Sequence, residues 1–444
     1  MSKRMSATEF DNAKPFDQVP GLRVLPIIGT TWGMFPHIGD GIPISRMLEL
    51  QKLRFKQFGY IWRDIVPGRP PIVYTARPED VEKLFKTEGK HPVRPGMDTI
   101  KAYRAQRIKD FTSAGILLSS GDAWWQTRSK TQQTFLKPKN ATHYIPVLND
   151  IAEDFIDRIR LIRPENNEMK PDFINDMYRW ALESVGVVGL NTRLGCLRPD
   201  LAPDSEAQKL INAANFSFDA INDLEHNFPF WKFFVTPMLQ KLYDAQDFLT
   251  DTTIKYISQT VEALKGSSFD SYLSILEQLL VRGMEPSDVV TMVIDMLMAG
   301  VDTSANTSAF LLYYLARNPE KQEKLRQEIL SVVGPKGSTA TASALNSLPY
   351  LKACIKESFR EKFIPERWIK GDLQESHHHP YVTLPFGCGT RMCIGRKIAE
   401  LEIQQLTIKM LQNFKVEYDH EDMSCFMRMT NMPDKPLLFK FIDL

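Results

Sequence analysis

The feature that most constrains this chain is a helical pattern that begins at Pro286 and runs to Arg317 without a proline or an obvious stop. A helix of roughly 30 residues would be about 45 Å long. That is longer than an ordinary globular helix, and the segment is apolar on nearly every side. The pattern therefore predicts a buried helix that crosses the whole protein.

The rest of the chain divides into a proline-rich first part and a longer helical part. Short apolar pieces at 60–65 and 72–75 predict a small β-sheet. Apolar residues recur at helical spacing from about Trp124 to Leu330, and a further helix is expected from Asn318-Pro319 onward. Three ranges describe the expected layout of this single domain: a flexible stretch at 1–17, a mixed β-rich region at 18–110 and a helical region at 111–444.

Composition excludes several classes of protein. With 444 residues, 43% of them hydrophobic and 25% charged, the chain is neither disordered nor a small disulfide-stapled protein. A formal net charge of +1 gives no general attraction to nucleic acid. Five scattered cysteines indicate a reducing compartment, or one cysteine with a chemical role, and not a disulfide framework.

Chemistry concentrates near the C-terminus, where residues 386–395 read FGCGTRMCIG and a helical run starts at Arg396. The glycines permit tight turns and a close approach of the backbone to a flat partner. A cysteine just before a helix N-terminus is favoured as the thiolate, the form that binds metal. From the residues alone, Cys393 is either a metal ligand or a buried structural cysteine.

The whole run matches F-x-x-G-x-R-x-C-x-G, and in this it resembles the heme-binding signature of the cytochrome P-450 family. The resemblance implies a mainly α fold with a small β-rich region (the α+β fold of that family), with the long central helix over heme b. Cys393 would be the thiolate ligand of the iron, and Arg391 would pair with a heme propionate. Phe386 and Gly395 would border the cofactor. Cys388 matches no fixed position and is interpreted as structural.

Inside the long helix, residues 299–304 read AGVDTS, similar to the family's oxygen-activation motif A-G-x-D-T-T/S. The resemblance implies that Ala299 and Gly300 leave room for a ligand against the helix. Thr303 would hold a hydrogen-bond network beside dioxygen, and Asp302 would deliver protons from solvent. Without the resemblance, the same residues would be a packing notch of small side chains.

Two further motifs surround the expected cofactor. Glu357 and Arg360 match E-x-x-R, and residues 365–368, PERW, resemble the family's P-E-R-F/W. The resemblance implies a buried network of Glu357, Arg360 and Arg367 that supports the cysteine loop. Read alone, an i, i+3 ion pair is usually a solvated helix face.

Trp124 and Arg128 match W-x-x-x-R, whose two donors reach heme propionates in the family. The resemblance therefore implies the same role for both residues here. The alternative is that Trp124 simply packs in the core.

The electron donor is suggested by basic residues. Lys352 and Lys356 lie four positions apart on the helix that carries Glu357, and Arg396 with Lys397 would enlarge the positive surface. This resembles the mitochondrial clade, in which such residues dock an acidic [2Fe–2S] ferredoxin. A solvated lysine face is the alternative.

Location and substrate follow from the same resemblance. No stretch is apolar for long enough to span a membrane, and a transit peptide is not evident among residues 1–17. Residues 15–29 resemble the start of mature mitochondrial members, which implies a peripheral protein on the matrix side of the inner membrane. The aromatic run 228–235 either contacts a membrane or is a buried loop. A monomer acting on a lipophilic substrate is expected, and residues 63–80 weakly resemble arthropod ecdysteroid hydroxylases.

The chain departs from the family in one place. Only residues 361–364 separate Arg360 from Pro365, whereas family members carry several tens of residues between these motifs. The missing part holds strands of the substrate wall. Loss of such strands exposes edges and apolar surface.

Three hypotheses on function follow. The first is heme-thiolate monooxygenation of a steroid, an ecdysteroid or a foreign compound, with electrons from a ferredoxin. The second is an inactive isoform that binds heme poorly. The third is a heme-thiolate isomerase or dehydratase, against which the pair Asp302 and Thr303 argues because such enzymes need no proton relay to dioxygen.

Overall fold

The computed structural model describes residues 13–202, 204–226, 229–265, 273–369 and 379–444. Residues 1–12 of the expected flexible stretch 1–17 lie outside the described residues. The chain forms two compact units. The smaller comprises the described residues of Met1–Pro92, His377–Met392 and Cys425–Met432, and the larger those of Val93–Ser376, Cys393–Ser424 and Pro433–Leu444.

The α-helices outnumber the strands, as the sequence predicts. In chain order the helices are α1 (Met47–Phe58), α2 (Pro78–Thr87), α3 (Asp98–Gln106), α4 (Gly115–Leu118), α5 (Gly121–Leu136), α6 (Pro138–Thr142), α7 (Ile145–Ile162), α8 (Ile174–Leu190), α9 (Glu206–His226), α10 (Pro237–Lys265), α11 (Ile275–Val281), α12 (Pro286–Ala316), α13 (Pro319–Val332), α14 (Ala342–Asn346), α15 (Pro349–Glu357) and α16 (Arg396–Asn413). Short 3₁₀ helices lie at Phe16–Gln18, Thr31–Met34, Ile44–Arg46, Phe230–Lys232 and Pro365–Trp368.

The strands are short and pair only in twos among the described residues. They are β1 (Ile61–Asp64), β2 (Ile72–Thr75), β3 (Phe414–Glu417), β4 (Cys425–Met427), β5 (Asn431–Pro433) and β6 (Lys440–Asp443). β1 pairs antiparallel with β2 as the pattern at 60–75 predicts, β3 pairs with β6, and β4 pairs with β5. The predicted mainly α fold with a small β component is confirmed. The region 18–110, expected to be β-rich, contains more helix than strand.

The predicted long helix is confirmed as α12, which begins at Pro286 and ends at Ala316. A proline suits this first position because its missing N–H would have no partner inside the helix. α12 packs against α8, α9, α10 and α16, all within the larger unit. It therefore forms the centre of that unit, as its apolar composition indicates.

Helices α12 and α8 approach each other closely at Gly300. A Cβ atom built there would lie 2.6 Å from Cγ2 of Val185, too close for any real contact. Val185 has no flexible end that could move aside. The glycine is thus required by helix packing.

Replacing Gly300 by alanine should lower the free energy of unfolding by about 1–3 kcal/mol, because the new methyl overpacks the interface. Gly189→Ala is the matched control on α8, where the new Cβ would lie 3.5 Å from Met296 and Val293. That change should be neutral or stabilise by up to about 1 kcal/mol. Val185→Ala should restore the Gly300→Ala variant. Equal stability of the two single glycine variants in denaturant unfolding would contradict the account.

Candidate active site

One narrow strip of the central helix α12 is open, while the rest of its middle is buried. The incompletely buried positions recur every three or four residues, which is one helix face: Met296, Ala299, Gly300, Thr303, Thr307 and Phe310. Thr303 is the exposed member, and its Oγ1 donates to the carbonyl of Ala299 at 2.7 Å. The structure thus brings Ala299, Gly300 and Thr303 onto one accessible face.

Asp302 does not share that face. Its carboxylate is buried and accepts hydrogen bonds from Asn306 Nδ2 at 3.1 Å and from the Tyr178 hydroxyl at 3.4 Å. Adjacent helix positions do not face each other, so an acid next to Thr303 must point elsewhere. The carboxylate thus lies away from the open strip, and the role of Asp302 in proton delivery stays a prediction. Gly300 also packs against Val185, where a Cβ atom would clash, so helix packing is one reason for its small size.

Cys393 lies three residues before α16 begins. The residue is exposed, yet desolvation of its thiol raises the pKa. Backbone N–H groups of Gly395 and Arg396 bond the sulfur, and the charges of Arg128 and Arg396 lower the pKa. The residue is thus exposed as a whole, while its sulfur is partly desolvated. Donors and cations around it favour the thiolate.

Trp124 and Arg128 lie on α5, one turn apart and both buried. The guanidinium of Arg128 stands over the Trp124 ring, 5.9 Å from its centroid. Burial lowers the pKa of Arg128, and Cys393 opposes this. The Nε of Arg128 is buried without a hydrogen-bond partner in the part of the chain that the structure describes.

The first half of the signature belongs to the smaller unit, where Phe386 and Arg391 are both half-buried. Gly389 has a φ of +70°, and a Cβ there would lie 3.4 Å from Glu88 and Phe85. Only glycine fits such a left-handed, crowded turn without strain. Arg391 lies near Glu88, since its charge lowers the pKa of that carboxyl against the effect of burial.

The carboxylate of Glu357 forms the expected network. Glu357 is fully buried at the end of α15, with Arg360 Nε at 3.6 Å and Arg367 Nη1 at 3.3 Å. The backbone N–H of Ile364 and the indole N–H of Trp368 also donate to it, at 3.2 Å and 2.7 Å. The short connection 361–364 is thus long enough to return Arg367 to Glu357.

The four basic residues expected to dock a partner do not behave alike. Lys352 Nζ donates to the carbonyl of Asn346 at 3.0 Å, and Lys356 lies 5.3 Å above the ring of Trp368. Arg396 and Lys397 instead both pair with Glu400, at 2.8 Å and 3.6 Å. Glu400 neutralises part of the charge of Arg396 and Lys397. The predicted positive surface therefore depends mainly on Lys352 and Lys356 of α15.

Sequence reasoning missed a buried acid, Glu402, on α16. Its Oε2 accepts a hydrogen bond from Ser304 Oγ on α12 at 2.9 Å. Burial raises its pKa to about 8, and the bond from Ser304 lowers it. Nothing in the sequence marks this residue, since its partner is 98 positions away.

Replacement of Trp368 by phenylalanine should destabilise the heme-free chain by about 1–3 kcal/mol, because an oxygen of a fully buried carboxylate loses its donor. Trp231→Phe serves as the control, since the indole of this half-buried tryptophan donates to the uncharged backbone carbonyl of Leu224. Denaturant unfolding measures both. A Trp368→Phe variant as stable as the control would show that the indole bond is unimportant.

The raised pKa of Glu402 predicts a pH-dependent stability. In the unfolded chain this carboxyl titrates near its ordinary value of 4.5, and in the folded chain near 8. Between these values the folded state binds more protons, so stability falls as pH rises and levels off above about pH 8. The free energy of unfolding of the wild type minus that of Glu402→Gln should fall by about 1.4 kcal/mol per pH unit in this window. A difference that is flat with pH would contradict the assignment.

These residues fit a heme group. A cysteine sulfur with N–H donors would suit heme iron as its thiolate, and the open strip of α12 with Ala299 and Thr303 would suit a flat ligand. The buried Nε of Arg128, which lacks a hydrogen-bond partner among the described residues, suits a carboxylate such as a propionate.

Comparison with known proteins gives a consistent result. The family model described as Cytochrome P450 matches residues 20–360 and 361–441. The break after Arg360 coincides with the start of the short connection. Within this family the predicted cofactor, heme b, and the predicted enzyme class, monooxygenase, are confirmed.

Relatives cover nearly the whole chain. A probable mitochondrial cytochrome P450 301a1 from Drosophila melanogaster is 31% identical over 98% of this chain and 88% of its own length. A probable mitochondrial cytochrome P450 12a5 from the same fly is 32% identical, over 98% of this chain and 92% of its own length. Cytochrome P450 10 from Lymnaea stagnalis is 27% identical, over 98% of this chain and 87% of its own length.

The first of these alignments runs over 491 positions, more than the 444 residues of the chain, so it contains gaps on the side of this chain. This agrees with the shortened connection that the sequence predicts. With a family model that matches almost its full length, the chain belongs to the cytochrome P450 family, and its relatives include mitochondrial members from insects.

Proposed function

We propose that this chain inserts one oxygen atom of O₂ into a C–H bond of a lipophilic substrate, a steroid, an ecdysteroid or a foreign compound. The observation that carries the proposal is the thiol of Cys393, bonded by two backbone N–H groups and flanked by Arg128 and Arg396. When bound, heme supplies the activation of dioxygen. Electrons come from a donor protein, and the second oxygen atom leaves as water.

The chain's own side chains would bind the heme and orient it. Cys393 is the ligand for iron, while Arg128, Trp124 and Arg391 are assigned to the propionates. Phe386 and Gly395 are assigned to the border of the cofactor because they occupy fixed positions of the signature.

On the opposite side, Ala299 and Gly300 leave the open strip of α12 shallow, and Thr303 offers a hydroxyl there. Asp302 is assigned a proton-holding role through its contacts with Asn306 and Tyr178, because it is buried on another face of the helix. Protons would then reach Thr303 by way of this polar cluster.

Cys393→Ser should abolish the long-wavelength absorbance band of the reduced, carbon monoxide-treated protein, because a serine hydroxyl does not give thiolate ligation. Cys388→Ser is the matched control, since Cys388 is a half-buried cysteine of the same signature at a variable position. The control should keep the band. Loss of the band in both variants, or in neither, would contradict the assignment of Cys393.

An acidic [2Fe–2S] ferredoxin is proposed as the electron donor. Lys352 and Lys356 lie on one face of α15, where they contact the carbonyl of Asn346 and the ring of Trp368. The charge of Lys352 also lowers the pKa of Glu328, so Lys356 has the less compensated charge of the two. The mitochondrial relatives support a donor of this kind. Arg396 and Lys397 would contribute less, because Glu400 pairs with both.

Changing Lys352 and Lys356 together to glutamate should raise the KM for ferredoxin several-fold and make turnover less sensitive to salt, since the attraction between the surfaces is removed. Lys336→Glu makes the same kind of charge change at an exposed lysine outside α15 and should leave the KM unchanged. Ferredoxin-supported turnover that is indifferent to the double change would contradict the docking assignment.

A mitochondrial location, on the matrix side of the inner membrane, is proposed from the relatives. Among the described residues, no helix is both long enough and apolar enough to cross a bilayer. Phe230, Phe233, Phe234 and Val235 are all more than half exposed, which supports peripheral contact with a membrane. Phe228, the first residue of this run, lies outside the described residues. The protein is proposed to act as a monomer.

An inactive isoform is the second candidate, and the break in the family match after Arg360 favours it. The missing segment would remove part of the substrate wall. This candidate predicts that the purified chain takes up little heme, whereas the first predicts one heme per chain.

A further inference from the structure

A buried acid that no motif of the sequence contains links the two helices of the candidate site. Glu402 on α16 and Ser304 on α12 are each 2% exposed, and the Ser304 hydroxyl donates to Glu402 Oε2 at 2.9 Å. Ser304 directly follows Thr303, and α16 begins three residues after Cys393. The hydrogen bond therefore joins the helix of the oxygen-side motif to the helix of the cysteine loop.

The bond lies among buried side chains, which include the polar Gln405 and Ser308 within one turn of its two partners. Ile403, Leu406, Val301 and Ala305 beside it are buried. Of the described residues, only Ser304 modifies the pKa of Glu402 besides burial, so no charged side chain pairs with the carboxyl. Its Oε1 has no hydrogen-bond partner within the described part of the chain. Burial of a carboxyl is costly, and the hydrogen bond from Ser304 offsets part of that cost and fixes the orientation of the side chain.

Ser304 transmits any movement to Thr303 because both lie on one turn of a rigid helix, and the Thr303 hydroxyl is itself bonded to Ala299 within that turn. Any shift of α12 along α16, even of about 1 Å, would displace the Thr303 hydroxyl by a similar distance. Small displacements of this kind are costly for chemistry that needs aligned groups.

We propose that Glu402 is a positioning residue, which through Ser304 holds the turn Ala299–Ser304 in a fixed relation to the helix that follows Cys393. This rests on the proposed monooxygenase function in so far as Thr303 handles dioxygen. The role requires a hydrogen-bond acceptor at position 402 and does not require a charge there.

The test compares four variants in the full chain. Glu402→Leu and Ser304→Ala remove the bond, and Glu402→Gln keeps an acceptor of the same shape. Ser308→Ala is the matched control, one turn further along α12, where a buried hydroxyl has no partner among the described residues. If Glu402→Leu fails to fold, Ser304→Ala alone tests the loss of the bond.

The first readout uses the heme-loaded protein and measures the share of donor electrons recovered in product instead of peroxide. Glu402→Leu and Ser304→Ala should lower this share several-fold with the carbon monoxide spectrum unchanged, because Cys393 is untouched. Glu402→Gln and Ser308→Ala should match the wild type. An unchanged share in Ser304→Ala, or no rescue by Glu402→Gln, would overturn the proposal.

The second readout is amide hydrogen exchange of the segment 299–307 in the heme-free chain. Removal of the bond should speed exchange there, while Ser308→Ala should leave it unchanged. Equal exchange rates of this segment in all variants would overturn the positioning role. This readout does not require heme. Failure of the wild type to take up heme would instead refute the proposed function, so the two failures are distinguishable.

Discussion

The buried carboxylate of Glu357 is the interaction on which the rest of this arrangement depends. It collects donors from Arg360, Arg367, Ile364 and Trp368. An isolated buried carboxylate would be very unfavourable, so each donor offsets part of its desolvation. Because these donors come from α15, from the connection after it and from the 3₁₀ helix Pro365–Trp368, the network fixes the course of the chain before the cysteine loop.

This network explains how a family member tolerates so short a connection. Family members carry several tens of residues where this chain has only 361–364, and the family match breaks at that point. The indole of Trp368 contributes a donor that a phenylalanine, also accepted in the motif, lacks. The supporting network thus persists among the described residues on both sides of the short connection.

Much of the fold and of the site could be predicted from local pattern. The start of α12 at Pro286 follows from proline chemistry, and the pairing around Glu357 follows from motif spacing. Directions of side chains and long-range partners could not be predicted. Asp302 follows the geometry of a helix and turns away from Thr303, and Glu402 depends on a serine 98 positions away. The pairing of Arg396 with Glu400 was readable at i, i+4 spacing and weakens a basic surface that charge counting alone suggests.

Titration of heme into the purified heme-free chain tests the central claim most directly, because it asks whether the shortened protein still builds the cofactor site. The account predicts uptake of one heme per chain, with the absorbance of a thiolate-ligated iron after reduction and addition of carbon monoxide. No saturable uptake, or uptake with a spectrum that Cys393→Ser leaves unchanged, would contradict it.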